Sequence, residues 1–176
     1  MNHLRSTEAM NIRPVRADDT LLMQRFLQGL GDASRRHRFH GAINACSSGL
    51  LRLMTSVDGK HHVAWVVVGQ TADGPRLLGE ARFVRNNHGD EAELALTVAD
   101  DCRGQGISDR LMQTLLAAAG ARGVQRLRAE VEPCNGHMHA FLQRHGFVET
   151  EANADTEVGV TIWVRTVADL RTRSLH

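Results

Sequence analysis

The residues best suited to chemistry are the run Arg103 to Ser108, Arg-Gly-Gln-Gly-Ile-Ser, and an asparagine, Asn135, about thirty residues later. An apolar strand pattern precedes the run and a helical repeat of apolar residues follows it. The first N–H groups of a helix have no carbonyl partner, and the helix dipole places partial positive charge there. The run therefore predicts an anion site suited to a phosphate or pyrophosphate. A plain turn without a ligand is the alternative, because glycines occur at many turns.

The elements that must position this loop can be read from periodicity and turn composition. Strands are predicted at 11–16, 62–68, 76–84, 92–98, 126–131, 147–149 and 158–166, and helices at 18–30, 47–55, 106–122 and 135–145. Turn compositions at 71–75 and 86–90 predict that the second, third and fourth strands form an antiparallel meander. One domain over 11–168 is expected, between polar tails at 1–10 and 169–176.

Composition limits the partners. The 176 residues carry 21 Lys and Arg against 20 Asp and Glu, so no charge excess favours nucleic acid or an acidic membrane. The cysteines Cys46, Cys102 and Cys134 form neither a disulfide framework nor a CxxC pair. Neither a signal peptide nor an apolar run near the roughly 20 residues of a membrane span is found. We expect a cytoplasmic protein with a small-molecule or protein partner, and leave its oligomeric state open.

Two motifs in this order of elements resemble the GNAT superfamily of acyl-CoA-dependent N-acetyltransferases. Arg103-Gly-Gln-Gly-Ile-Ser108 matches the signature Arg/Gln-x-x-Gly-x-Gly/Ala except at Ser108, and Asn135 precedes Gly146-Phe147 at the family's spacing. Shorter matches, at 12–14, 34–39, 57–58 and 77–79, resemble the GNAT domain of bacterial protein lysine acetyltransferases without their CoA-ligase-like domain. The resemblance implies an α/β (α+β) fold: a mixed, mostly antiparallel sheet of six to seven strands flanked by about four helices.

The same resemblance implies acetyl-CoA as acyl donor. Its pyrophosphate would lie against the backbone of Arg103, Gly104, Gln105, Gly106, Ile107 and Ser108, with the Arg103 side chain as a charge partner. Its pantetheine arm would pair with the backbone of Leu96, Thr97 and Val98, with Asn135 on the other side. The implied acceptor is a primary amine, with a protein lysine preferred and a small-molecule amine close behind. Transfer would be direct, without a covalent enzyme intermediate.

A general base is needed, because deprotonating a lysine with a pKa near 10.4 at pH 7.4 costs about 4 kcal/mol. Strand alternation and the family's Glu-Phe-Ala-Val strand both select Glu93, which we expect to be partly enclosed by apolar neighbours so that burial raises its pKa. A solvent-facing Glu93 is the alternative, and Glu80 and Glu91 are substitutes. The Val98 backbone is the expected donor to the carbonyl oxygen.

The general acid is missing. Many GNAT enzymes use a tyrosine in the helix after the asparagine, but this chain has no tyrosine and carries Leu142 there. Solvent, another donor or no acid must serve. Cys134 lies beside the expected thioester, but a buried apolar role is the commoner one for a free cysteine, and Cys102 is expected to be incidental.

The histidines raise the question of a metal site, and the basic run at 35–38 raises the question of a charged contact surface. His137, His139 and His145 lack the spacing of a zinc site, so no metal is expected. The basic run at 35–38 is expected to be a solvated face, with guidance of an acidic protein surface or contact with the CoA 3′-phosphate as alternatives.

Two rival functions remain. Gly104-x-Gly106 with Glu130 resembles a dinucleotide fingerprint, but Asp109 stands where its third glycine should be, and antiparallel strands do not suit a doubly wound sheet. The missing tyrosine favours the second rival, a non-catalytic acyl-CoA sensor or protein-interaction module.

Overall fold

Strands and helices follow one another in the order that the sequence predicts, with one helix added. The computed structural model describes residues 10–39, 47–86, 90–150 and 159–167. Its strands are β1 Asn11–Pro14, β2 His62–Thr71, β3 Gly74–Arg85, β4 Glu91–Val98, β5 Arg126–Val131, β6 Val148–Thr150 and β7 Thr161–Thr166. Its helices are α1 Thr20–Gly29, α2 Asp32–Phe39, α3 Ser48–Thr55, α4 Ile107–Ala121 and α5 Gly136–Arg144.

One sheet contains all seven strands in the order β1-β2-β3-β4-β5-β7-β6. Every neighbouring pair is antiparallel except β4 and β5, which are parallel. A parallel pair needs a crossover connection, and α4 supplies it. The predicted mixed, mostly antiparallel sheet is therefore confirmed, and the antiparallel meander contradicts the dinucleotide interpretation.

Helix α4 packs against the meander through a row of apolar side chains at helical spacing. Ile107, Leu111, Met112 and Leu115 are buried. The backbone of β3 approaches this helix closely at Gly79, where a Cβ would lie 3.0 Å from Ile107 Cγ2 and 3.0 Å from Leu111 Cδ1. The helix that carries the glycine loop is thus fixed against the sheet.

The sequence misses one helix. Helix α2 covers the basic run that was expected to be a solvated face, and its polar composition gives no apolar stripe. Its position comes from tertiary contacts: Ser34 donates to Asp100 Oδ1 at 2.6 Å, and Arg38 Nη2 lies 3.5 Å from Glu80 Oε2. The solvated interpretation is wrong for Arg38, whose side chain is 11% exposed.

Some predictions fall outside the described residues. These are most of both tails, the turn residues 87–89, the start of the last predicted strand at residue 158, and Cys46. None of the described helices combines the length and apolar composition needed to cross a bilayer.

Candidate active site

The site begins where β4 and β5 separate. Only Glu91, Ala92 and Glu93 of β4 pair with β5, opposite Arg126, Leu127 and Arg128. On its other edge, β4 pairs with β3 along seven residues, from Ala92 to Val98. The second half of β4 therefore has one edge without a strand partner among the described residues, and a cleft opens there.

Backbone groups alternate along β4, so only some of them face the cleft. Asp90 O accepts from Arg126 N on the β5 side at 3.1 Å, whereas Ala99 N donates to Leu78 O on the β3 side at 2.9 Å. By alternation, Leu96 and Val98 direct their N–H and C=O groups toward the cleft. The backbone groups of Thr97 face β3, so of the three residues expected to pair with a ligand arm, Thr97 has the wrong orientation.

The glycine loop forms one end of the cleft. Gly104 and Gly106 have φ angles of 75° and 72°, which only glycine adopts readily. Gly106 is the N-cap of α4 and provides no side chain to accept from the helix's first amides. Those amides, with the positive end of the helix dipole, therefore remain available for an anion.

Arg103 extends beside this loop and is already engaged. Its Nη2 lies 2.7 Å from Asp100 Oδ1 and donates to Ser34 Oγ at 2.7 Å. The side chain is 58% exposed, so its remaining N–H groups face solvent. Contact with a phosphate is compatible with this arrangement, which also ties the loop to α2.

Asn135 stands on the opposite side of the cleft as the N-cap of α5. Its Oδ1 accepts from Met138 N at 3.2 Å. Because the oxygen caps the helix, the amide NH₂ group is the part left for a ligand. The expected position of Asn135 beside the gap between β4 and β5 therefore agrees with the structure.

These parts surround one cavity of about 620 Å³. Nearly every predicted site residue lines it: Glu93, Leu96, Thr97, Val98, Arg103, Gly104, Gly106, Ile107, Ser108 and Asn135. Gln105 is the exception, because its exposed side chain lies outside the lining.

Glu93 is the one candidate base among three carboxylates that reaches this cavity. It is exposed, so the expected enclosure by apolar neighbours is wrong. The reason is its position at the last β4–β5 pair, where the sheet opens. Glu91 pairs with Arg126 at 3.2 Å, and Glu80 is fully buried.

Glu80 belongs to a buried cluster of charged side chains. Arg82 Nε donates to Glu80 Oε1, and Arg82 also donates to Met54 O at 3.1 Å and to His62 Nε2 at 2.9 Å. Burial lowers the pKa of Arg38, while the Glu80 carboxylate opposes that shift; the charge of Glu93 also acts on Arg38 in the opposing sense. The Glu80 carboxylate is therefore engaged in buried ion pairs with Arg82 and Arg38. Glu93 interacts electrostatically with Arg38.

The residues near the expected thioester differ in exposure. Leu142 is fully buried and lines the cavity at the tyrosine position. Cys134 is exposed and lines the same cavity, so its expected burial is wrong. Cys102 also lines the cavity but is buried, and burial together with Asp101 raises the pKa of its thiol to about 11.

Two of the three histidines considered for zinc have other partners. Trp163 Nε1 donates to His139 Nδ1 at 3.0 Å, and His145 Nε2 lies 2.8 Å from Asp109 Oδ1. His137 belongs to the cavity lining. The histidine missed by the sequence is His37 on α2, whose Nδ1 lies 2.8 Å from Glu132 Oε2 across the cleft.

The lining fits a CoA ester. Uncapped helix amides suit its pyrophosphate, the open backbone edge at Leu96 and Val98 suits its amide-containing arm, and Asn135 supplies a donor opposite that edge. An open β4–β5 pair with a glycine-loop helix at one end is the arrangement implied by the resemblance to N-acetyltransferases.

Comparison with known proteins identifies the class. The chain belongs to the acetyltransferase (GNAT) family, whose model matches residues 35–147. The donor used generally by that family is acetyl-CoA.

Two curated relatives carry related names. Acetyltransferase Pat of Mycolicibacterium smegmatis is 35% identical over 148 residues, which are 82% of this chain and 43% of that protein. Acetyltransferase PA5475 of Pseudomonas aeruginosa is 29% identical over 137 residues, which are 78% of this chain and 74% of that protein. The chain therefore spans less than half the length of Pat.

Solved structures show the same fold. The GNAT domain of S. lividans PAT is 26% identical, with a TM-score of 0.79 over 90% of this chain and 96% of that one. A mutant form of a cAMP-binding acyltransferase from Mycobacterium smegmatis is 30% identical with a TM-score of 0.59, over 95% of this chain and 46% of that one.

Proposed function

We propose that this acetyltransferase moves an acetyl group from acetyl-CoA to a primary amine, with a protein lysine as preferred acceptor and Glu93 as general base. The observation that carries the proposal is one cavity that joins the uncapped start of α4, the open edge of β4 and the Glu93 side chain. The proposed domain is residues 11–168.

Donor binding is assigned to backbone groups. The amides of Gly104, Gly106 and Ser108 receive the pyrophosphate, and those of Leu96 and Val98 face the arm. Asn135 donates from the opposite wall. Acetyl-CoA, when bound, supplies the activated acetyl group. Val98 was the expected donor to its carbonyl oxygen, but it lies five residues from Glu93 along β4, roughly 16 Å at ~3.3 Å per residue, so its N–H is assigned to the arm instead.

The base and the glycine-loop helix lie on opposite faces of the sheet. Glu93 is the register partner of Val84 on β3, so the two side chains lie on the same face of the sheet. Arg82 and Glu80 lie two and four residues before Val84 and therefore share that face. Helix α4 contacts Gly79 on the other face. The acceptor amine would therefore approach from the α2 face and meet the acetyl group through the gap between β4 and β5.

Glu93 would remove the proton that a lysine amine carries at neutral pH. Its exposure permits transfer directly or through one water. No residue is assigned to protonate the leaving thiolate, because the chain has no tyrosine and Leu142 offers no proton. Solvent entering the open cleft is the simplest donor.

The choice of a protein lysine depends on the resemblance to bacterial protein lysine acetyltransferases. A small-molecule amine is the second candidate acceptor. Both share the same donor site and base, so donor binding and turnover are tested separately from acceptor identity.

The first experiment is titration calorimetry of acetyl-CoA with the wild-type protein and Gly106→Glu. Added bulk and negative charge at the loop should abolish measurable binding. Absence of wild-type binding by a folded protein would contradict the donor site.

The second experiment measures acetylation of lysine peptides and small amines by Glu93→Gln. Loss of a general base should lower kcat by about 10²- to 10⁴-fold while acetyl-CoA affinity stays near the wild-type value. Glu91→Gln on the same strand is the matched control and should retain turnover. Donor binding without turnover in the wild type, for any amine offered, would instead favour an acyl-CoA sensor.

A further inference from the structure

A second group of side chains stands at the cleft, and the proposed reaction does not use it. The cleft cluster consists of His37 from α2 with Glu132 and Cys134 from the turn between β5 and α5. His37 Nδ1 lies 2.8 Å from Glu132 Oε2, and Cys134 Sγ lies 3.7 Å from the same oxygen. The three potential ligand atoms all lie within 4.8 Å of one another.

These three groups are those that zinc prefers. An imidazole nitrogen, a thiolate and a carboxylate oxygen bind Zn²⁺ at about 2.0–2.3 Å in a tetrahedral arrangement, which separates neighbouring ligand atoms by roughly 3.3–3.6 Å. The present separations lie on either side of that range. Each separation in the cleft cluster therefore lies within about 1.2 Å of the range that tetrahedral coordination requires.

The turn that carries two of the ligands is held in place. Trp163 donates to His139 Nδ1 at 3.0 Å, which leaves the proton on Nε2. His139 Nε2 then donates to Glu132 O at 3.1 Å, and Asn135 N donates to the same oxygen at 2.9 Å. Supporting hydrogen bonds of this kind fix the geometry of a metal site.

The third ligand comes from a helix that is also anchored. Ser34 on α2 donates to Asp100 at 2.6 Å, and Arg38 lies against buried Glu80 at 3.5 Å. His37 stands between these two anchors on the same helix. The cleft cluster thus joins two independently fixed walls.

We propose that the cleft cluster binds a zinc-class divalent cation through His37, Glu132 and Cys134. His37 and Cys134 line the cavity, so the fourth coordination position is directed into it. Three protein ligands with one open position are typical of reactive zinc sites. The bound ion would join α2 to the β5–α5 turn. This proposal does not depend on the proposed acetyl transfer.

The test is a Co²⁺ titration of the reduced, tag-free protein followed by absorption spectroscopy. Wild-type protein should give the visible bands of tetrahedral Co²⁺ and a near-ultraviolet thiolate-to-metal charge-transfer band, both removed by added Zn²⁺. Cys134→Ser should lose the charge-transfer band. His37→Ala should weaken Co²⁺ affinity at least about tenfold, since loss of even an outer-shell partner costs that much.

Matched controls use a cysteine and a histidine of the same cavity. Cys102→Ala and His137→Asn should keep the spectrum, and thermal unfolding of each variant establishes that it is folded. A wild-type spectrum without the charge-transfer band, or a band that survives Cys134→Ser or disappears in Cys102→Ala, would overturn the proposal. An increase in Tm with Zn²⁺ in the wild type but not in Cys134→Ser gives a second readout.

Discussion

The two edges of β4 behave differently although they belong to one strand. The edge toward β3 is paired over seven residues, whereas the edge toward β5 is paired over three and then opens. Pairing satisfies backbone groups on the first edge and leaves those of Leu96 and Val98 for a ligand on the second. In this fold, a cleft is made where a strand pair ends early.

Two carboxylates on the same sheet face repeat this contrast. Glu80 lies on β3 under α2 and is fully buried against Arg82 and Arg38. Glu93 lies where the sheet opens and is exposed. The sequence marks both as candidate bases, and only their surroundings separate a buried, ion-paired carboxylate from one that is accessible from the cleft.

The largest expected difference concerns amide hydrogen exchange along β4. Without ligand, the Thr97 amide should exchange only through opening events that approach the global unfolding free energy, about 5–15 kcal/mol for proteins in general. The Leu96 and Val98 amides should exchange with little protection and become protected when acetyl-CoA is added. NMR-detected exchange measures each amide, and equal protection of Leu96 and Thr97 in the free protein would remove the distinction between the two edges.

The next largest effect concerns the buried carboxylate of Glu80 and its contribution to the free energy of unfolding. Glu80→Gln should lower the free energy of unfolding by about 3–5 kcal/mol, because it leaves two buried guanidinium groups without their counter-charge. Glu91→Gln, in a partly exposed pair with Arg126, should cost only about 0–1 kcal/mol. Urea unfolding compares the two, and similar losses would show that Glu80 is no more important than a surface charge.

The close approach of β3 to α4 predicts a smaller loss. Gly79→Ala should destabilise the protein by about 1–3 kcal/mol, since its Cβ would press on Ile107 and Leu111. Gly29→Ala is the control, because a Cβ there has nothing within 4 Å. A Gly79→Ala variant as stable as the wild type in urea would mean that α4 is free to move away from the sheet.

The smallest expected effect is on the pKa of Asp58, which lies just before β2 and away from both edges of β4. Asp58 Oδ1 accepts from the N–H groups of His62, Lys60 and His61, each at 2.8 Å, and these bonds lower the pKa of Asp58 to about 2. Because folding lowers this pKa, the Asp58 carboxylate stabilises the folded protein fully at pH values above its unfolded-state pKa near 3.9. That stabilisation is lost as the pH falls through the folded-state pKa of about 2. An NMR titration midpoint near 3.9 would contradict these bonds.

Sequence reasoning succeeds where the signal is local. The glycine loop, the helix after it and the capping asparagine are each encoded in a few neighbouring residues, and their positions agree with the structure. It fails for α2, whose polar composition hides a helix held by distant partners. It also fails for Cys134, whose exposure depends on the cleft rather than on its neighbours in sequence.

The sequence by itself determined the order of the strands, of every helix except α2, and the family membership, because periodicity, turn residues and motif spacing are properties of short segments. The tertiary structure alone decided which backbone groups of β4 are open, which carboxylate is free and which residues form the cleft cluster. His37 lies 95 residues from Glu132 in sequence. Only the assembly of the sheet and the anchoring of α2 bring such distant side chains within a few ångströms.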